Sequence, residues 1–289
     1  MKFIIIYNDT LRSKIIYSKF VNDHHKDIIC GIKIPALTKK KNGKTSIFLL
    51  KKLLKANIKL ILFHAFQIII YQIIGTINGS SLDKIISRRG IKNYHMKNFP
   101  NNLLLKKIIK ENKIKIKNEK EIVIFASTTT ILKKDNLKDN IILNFHEGPE
   151  EYKGSAIFYH LALNKEKYFY TIITKPDLGI DTGEIVLKSK KILIKNSSIF
   201  KIFLNGVYLQ SELIYKILNL KLKKNNYQNK IDTSSAYSYP ARNINQNLKK
   251  NNIRDINFYD LIRIIKLSYI NQIEEFYRYI AKIINDKKK

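Results

Sequence analysis

Cysteine is almost missing from this sequence: Cys30 stands alone. A lone cysteine excludes an internal disulfide framework and a multi-cysteine zinc site. Cys30 sits in the apolar run 27–32, where a buried structural thiol is expected. No pair among the six histidines has metal-ligand spacing, so no metal is expected. His24 and His25 read as a polar turn and His95 as loop. His160 falls on a helical run, where it packs or lines a pocket. Repeats at solenoid spacing are missing too. So is a secretory leader: the apolar run Phe3–Tyr7 stops at Asn8-Asp9, too short for an h-region, and reads as a buried first strand of a cytoplasmic protein.

Acid is the other scarcity. Asp and Glu total 23 against 54 Lys and Arg, for a net charge of +31. Such a balance suits nucleic acid or a membrane surface. The positive residues are overwhelmingly lysine, however, and lysine, isoleucine and asparagine are inflated together along the whole chain, as an AT-rich coding bias would produce. A dedicated phosphate reader carries clustered arginine, whose fork suits bidentate contacts. The runs Lys39–Lys41, Lys223-Lys224 and Lys287–Lys289 therefore read as solvated faces, with an anion patch as the alternative.

What is present is a chain of 289 residues, 45% hydrophobic, able to bury a sizeable core. Strand-like runs span 2–7, 27–33, 121–127, 140–145, 168–174 and 184–194. Helix-like runs lie at 10–21, 45–77, 102–111, 155–164 and 198–218. The isoleucine-rich strands suit burial on both faces. Their alternation with helices predicts an α/β fold, a Rossmann-like, open, mostly parallel sheet with helices on both faces. A boundary in the Asn/Lys-rich stretch 223–232 divides a catalytic domain, 1–225, from a C-terminal extension, 226–289, with an amphipathic helix over 258–285. The segment Leu60–Ile77 is nearly all apolar, but His64, Gln67 and Gln72 interrupt it, and a span needs about 20 apolar residues. His64, Gln67, Tyr71 and Gly75 share one helical face. A long helix packed on the domain is expected. Peripheral membrane contact through 60–77 and a true span are the alternatives.

The chemistry concentrates in Asn144-Phe145-His146-Glu147-Gly148-Pro149, followed by Tyr152-Lys153-Gly154 and, some thirty residues on, by the loop Asp177–Gly183. Strand alternation points Asn144 and His146 to one side, at the carboxyl end of a strand, where open α/β sheets bind ligands. Glycines in 177–183 let a loop turn sharply and bring Asp181 close. An amide and an imidazolium can bind a developing oxyanion, and a carboxylate can accept a proton from an attacking amine. Singly, each piece also reads as turn chemistry, or as aspartates around a cation.

Together, residues 121–187 resemble the core of the folate-dependent formyltransferases, which include the methionyl-tRNA, glycinamide-ribonucleotide and amino-sugar enzymes. The family pattern Asn-x-His-x-(Ser/Gly)-Pro, aromatic-x-Gly, Asp-x-Gly-x-Asp-x-Gly falls on Asn144, His146, Tyr152, Gly154 and Asp181. The Gly148-Pro149 variant is most similar to the amino-sugar branch. The resemblance implies 10-formyltetrahydrofolate as formyl donor. It implies that Asn144 and His146 polarise the formyl oxygen, while Asp181 keeps His146 protonated and relays the proton. It also implies folate contacts at Ser127, Thr128, Asp177 and Gly179, and acceptor contacts at Tyr152 and Gly154. Three departures stand out. The loop Pro149–Tyr152 is one residue short and lacks a second proline. Thr174 stands without the Thr-x-His histidine. The usual amide is missing from 121–130. The segment 237–240 faintly resembles an aromatic-x-x-Pro element of some relatives, but the strand pattern of a tRNA-holding barrel does not follow it. A small-molecule amine, such as a nucleotide-linked amino sugar, is therefore the expected acceptor. Aminoacyl-tRNA as acceptor, a formate-releasing hydrolase, a silent relative that binds a membrane or anionic polymer, and homo-oligomerisation stay open.

Overall fold

A computed structural model describes residues 1–35, 58–112, 122–128, 132, 134–137, 140–154, 157–178, 181–194, 197–220, 222, 238–239 and 258–269. In chain order the elements are β1 (Lys2–Tyr7), α1 (Leu11–His24), β2 (Ile28–Lys33), α2 (Ile58–Ile77), α3 (Leu82–Arg88), β3 (Asn93–His95), α4 (Asn102–Glu111), β4 (Ile122–Ser127), α5 (Lys134–Leu137) and β5 (Ile141–His146). They continue with β6 (Lys153–Gly154), α6 (Ile157–Leu163), β7 (Tyr168–Phe169), β8 (Ile172–Lys175), β9 (Glu184–Lys188), β10 (Ile192–Leu193), α7 (Ile199–Ile217), β11 (Ser238–Tyr239) and α8 (Phe258–Tyr269).

Seven strands form one sheet in the order β3-β2-β1-β4-β5-β8-β9. The pairs from β3 to β5 are parallel, while β5–β8 and β8–β9 are antiparallel. This is the expected α/β, mostly parallel, Rossmann-like sheet. Its parity sorts the side chains into two cores. Phe3, Ile5 and Tyr7 of β1, Val123 and Phe125 of β4, and Leu143 and Phe145 of β5 join one core with α1 and α7. Ile4, Ile6, Ile124, Ala126 and Ile142 join the other with α4. Burial on both faces is why these strands read as unbroken apolar runs. Asn144 and His146 share the parity of Ile142, so they continue the second face to the strand's carboxyl end. A third core of Tyr152, Ile157, Phe158, Leu161, Phe169, Ile199 and Ile202 backs the turn that follows.

Side-chain caps start the helices where the sequence changes character. Thr10 accepts from the Ser13 amide on α1 and Ser198 from the Lys201 amide on α7, each satisfying a backbone donor the first turn leaves open. Cys30 is buried, and burial pushes its thiol up to about 12. On α2, Tyr71 is buried while Phe66 and Ile70 pack on the first core, and Ile69, Ile73 and Ile77 stay exposed. Among the described residues no helix is long and apolar enough to cross a membrane. The helix expected from residue 45 is described from Ile58, and the one expected to reach 285 is described to Tyr269.

Several details differ from the expectation. The runs 168–174 and 184–194 each break into two strands, with β7 pairing β10 apart from the main sheet. His95 is not loop but the end of edge strand β3, His24 closes α1, and His25 opens a short 3-10 turn. The short helix α3 lay outside the expected elements. It is too brief to show an apolar period, and α1 packing stabilises it.

Candidate functional site

The site is built at the carboxyl end of β5. Asn144 pairs in register with Ala126 of β4 and Thr174 of β8, and His146 faces Ile172. From β8 the chain runs through Asp177 and Leu178, whose side chain packs on the second core, and returns as Asp181-Thr182-Gly183 into β9. Two features mark that return as tight. Gly183 has no room for a side chain: a Cβ there would lie 1.9 Å from the Lys175 carbonyl oxygen. Asp181 takes a left-handed backbone, φ +53°, a conformation aspartate tolerates better than most residues and one often found at functional sites. Thr182 Oγ1 donates to Asp177 Oδ1 at 2.6 Å and closes the loop.

Three of the expected residues therefore meet. Asn144 Nδ2 donates to Asp181 Oδ1 at 3.4 Å, and His146 Nδ1 lies 3.5 Å from Asp181 Oδ2. His146 is 4% exposed and the Asp181 side chain 18%, so the carboxylate is the wetter partner. The other ring nitrogen has a partner that the sequence did not suggest. His146 Nε2 lies 2.6 Å from the backbone carbonyl of Tyr152. A carbonyl only accepts, so Nε2 carries the proton and donates it there.

That contact depends on the short turn after Pro149. The Tyr152 amide donates to the Pro149 carbonyl at 3.0 Å, while the Tyr152 hydroxyl donates to Glu166 Oε1 at 2.7 Å and accepts from Asn164 Nδ2 at 2.9 Å. Gly148 permits the turn, since a Cβ there would meet Ile157 Cγ2 at 2.4 Å. Tyr152 thus touches the trio through its backbone, while its ring sits in the third core. Gly154 lies on β6, paired with Tyr239 of β11, so the 238–239 segment borders the same turn. At the rim, Tyr170 and Lys188 bind Glu150. Burial acts to raise its carboxyl, but these two partners outweigh it and hold the group down at about 2.

The expected folate contacts are less gathered. Ser127 ends β4, the neighbouring strand, with Thr128 next to it, and Asp177 is engaged by Thr182. Gly179 lies outside the described residues. His160 is buried on α6. Among the described residues no group of three His, Cys, Asp or Glu side chains is arranged to hold a metal ion.

Two polar groups escaped the sequence reading. Arg12 of α1 reaches β5, and its only sequence signal is arginine in a lysine-rich chain. At the ends of β1–β3, Lys33 ion-pairs with Asp9 at 3.0 Å and Asp83 at 3.1 Å, Tyr71 donates to Asp9 at 2.8 Å, and Asn93 donates to the Tyr7 hydroxyl at 2.7 Å. Burial acts to lower the Lys33 ammonium, but the two carboxylates outweigh it and raise it. This network ties α2 and α3 to the sheet, and its members are too scattered in sequence to form a motif.

No family model and no curated protein matches the sequence. Solved structures do resemble the fold. Phosphoribosylglycinamide formyltransferase from Anaplasma phagocytophilum superposes with a TM-score of 0.48 at 12% identity, over 76% of this chain and 86% of that one. WlaRD, a sugar 3N-formyl transferase solved in the presence of dTDP and 5-N-formyl-THF, gives 0.46 at 17%, over 96% and 81%. An N-formyltransferase from Helicobacter canadensis, in complex with folinic acid and dTDP-3-aminofucose, gives 0.45 at 19%, over 96% and 82%. All three are formyltransferases. Likeness at this level is a likeness of fold, and chemistry has to be argued from the site.

Proposed function

We propose that this chain is a formyltransferase that moves a formyl group from 10-formyltetrahydrofolate to a primary amine of a small molecule, such as a nucleotide-linked amino sugar. The observation that carries the reading is the convergence of Asn144, His146 and Asp181 at one strand end. The donor set suits a formyl carbonyl and an attacking amine: amide and imidazole N–H groups for the oxygen, and a carboxylate for the proton. The bound folate would supply the activated formyl carbon. Attack by the amine nitrogen on that carbon would put negative charge on the formyl oxygen, which Asn144 Nδ2–H and the His146 imidazole are there to stabilise; its return would break the bond to the folate nitrogen, which would leave as tetrahydrofolate with the proton that Asp181 relays. Asp181, the more exposed partner, accepts the proton the amine loses. The Tyr152 carbonyl competes with the formyl oxygen for the His146 Nε2–H, so the oxygen must take that carbonyl's place to be bound directly. Ser127, Thr128, Asp177 and Gly179 on the folate side, and Tyr152 and Gly154 on the acceptor side, belong to the same reading.

The same Tyr152 contact favours a second reading, a catalytically silent relative whose imidazole is permanently engaged. One experiment separates the two. Calorimetry with a stable folate analogue, and turnover with 10-formyltetrahydrofolate against a panel of amino sugars and charged tRNAs, would be run on wild type and Asp181→Ala. Formyl transfer reduced about 100-fold or more in the variant supports the enzyme. A folded wild type that binds no folate would sink it.

A further inference from the structure

Arg12 reaches from the first turn of α1 to the two residues that flank His146. Its Nη2 donates to the Phe145 carbonyl oxygen at 2.7 Å, and its Nε is ion-paired with Glu147 Oε1 at 2.9 Å. The same Nη2 also lies 3.4 Å from Gln210 Oε1 on α7. The Arg12 and Glu147 side chains are 19% and 23% exposed, so water competes weakly for either. Glu147 also borders a small pocket whose other walls, Phe158, Ile202, Phe203, Gly206 and Val207, are apolar. Among the described residues, the guanidinium of Arg12 is the charge that this carboxylate pairs with.

The Phe145 carbonyl belongs to the peptide plane that also holds the His146 nitrogen. Holding that oxygen sets the direction from which the His146 side chain leaves the strand. Holding Glu147 fixes the next residue, before Gly148 turns the chain. One planar guanidinium meets both at once, the carbonyl by a hydrogen bond and the carboxylate by charge, which a lysine ammonium on a flexible stem does less well. In a chain whose cations are overwhelmingly lysine, this is a place where arginine geometry is used.

We propose that Arg12 is a positioning residue: by clamping both neighbours of His146, it holds the imidazole in register with Asn144 and Asp181. This role rests on the formyl-transfer reading. Arg12 has no direct contact with the three site side chains in this arrangement, so its loss acts on turnover and not on binding.

The test uses full-length Arg12→Met, Arg12→Lys and Glu147→Gln, each checked for folding by circular dichroism. Histidine ring nitrogens are followed by 15N NMR, and formyl transfer is measured under saturation. Arg12→Met is expected to move or broaden the His146 ring signals while the other histidines keep theirs. It should lower kcat about 10- to 100-fold with KM nearly unchanged, the scale expected for sub-ångström to ångström misplacement. Arg12→Lys should recover part of the loss. Should Arg12→Met fail to fold, Glu147→Gln keeps the side-chain size, removes the charge partner and is expected to show the same signature more weakly. A folded variant with wild-type His146 signals and wild-type kcat overturns the proposal, even if its urea midpoint falls, because the clamp would then be structural only. If wild type itself transfers no formyl group, the functional reading fails, while the ring-nitrogen spectra still decide whether Arg12 holds His146.

Discussion

Lys14 should give this protein an unusual rise in stability with pH. It lies on α1, is 2% exposed, and donates to the carbonyls of Leu267 at 3.1 Å and Ser268 at 2.9 Å, at the end of α8. Its charged end therefore lies against the backbone carbonyls of the last described turn of α8. Burial lowers the ammonium from 10.5 to about 7; Asp9 opposes that fall and Arg88 adds to it. In the unfolded chain the same group titrates near 10.4. Between about pH 7 and 10.4 the unfolded state thus binds the extra proton, and stability rises with pH. The slope approaches about 1.4 kcal/mol per pH unit inside that window, so about 2 kcal/mol should be gained from pH 7 to pH 9. Below pH 7 the penalty is fully present and the profile flattens. Lys14→Met retains the stem and removes the titration. Urea midpoints at pH 6.5, 8 and 9.5 for both proteins isolate the Lys14 contribution as a difference, because the remaining lysines respond alike in each. The wild type should be the less stable partner at pH 6.5 and should close the gap as pH rises. Parallel profiles, or a gap that widens with pH, would refute the reasoning.

Other consequences follow from the site. Gly183→Ala places a Cβ against the Lys175 carbonyl and must spread the two arms of the β8–β9 return; overpacking of this kind costs about 1–3 kcal/mol, readable as a urea midpoint shift, and on the proposed reading formyl transfer should fall with it. Tyr152→Phe removes the hydroxyl that Glu166 and Asn164 share; both partners are exposed and can turn to water, so chemical denaturation should show a loss of only about 0.5–1.5 kcal/mol, and an unchanged midpoint would show that the turn is held by packing alone. On the proposed reading, Asp181→Asn keeps the loop's shape and removes the proposed proton acceptor, so single-turnover formyl transfer should slow at least about 100-fold, while folate affinity by calorimetry stays near wild type.

The sheet was legible because its strands are covered on both faces, and burial on both faces leaves continuous isoleucine-rich runs in the sequence. Parity alone places Asn144 and His146 on one side, since side chains alternate along a strand. The order of Asn144, His146 and Asp181 was also enough to suggest a meeting, because the intervening glycines allow a tight return. Strand direction was not legible. The antiparallel turn-back of β8 and β9 carries the same hydrophobic pattern as a parallel pair would. Nor was edge strand β3, whose Asn93-Tyr94-His95 has no apolar period and is ordered by pairing with Gly31–Lys33.

Sequence by itself therefore determined the layered fold and the chemical inventory of one strand end, because hydrophobic periodicity and residue type are local properties. Only tertiary structure decided what the inventory touches. It gave the His146 Nε2 proton to the Tyr152 carbonyl, brought Asp181 against the Nδ1 side through a loop with no room for a Cβ at Gly183, and set Arg12 across the strand from 133 residues away. The first spans only six residues but depends on how the turn after Pro149 folds, while the others join segments far apart in the chain, and no short-range pattern records which pairs will meet.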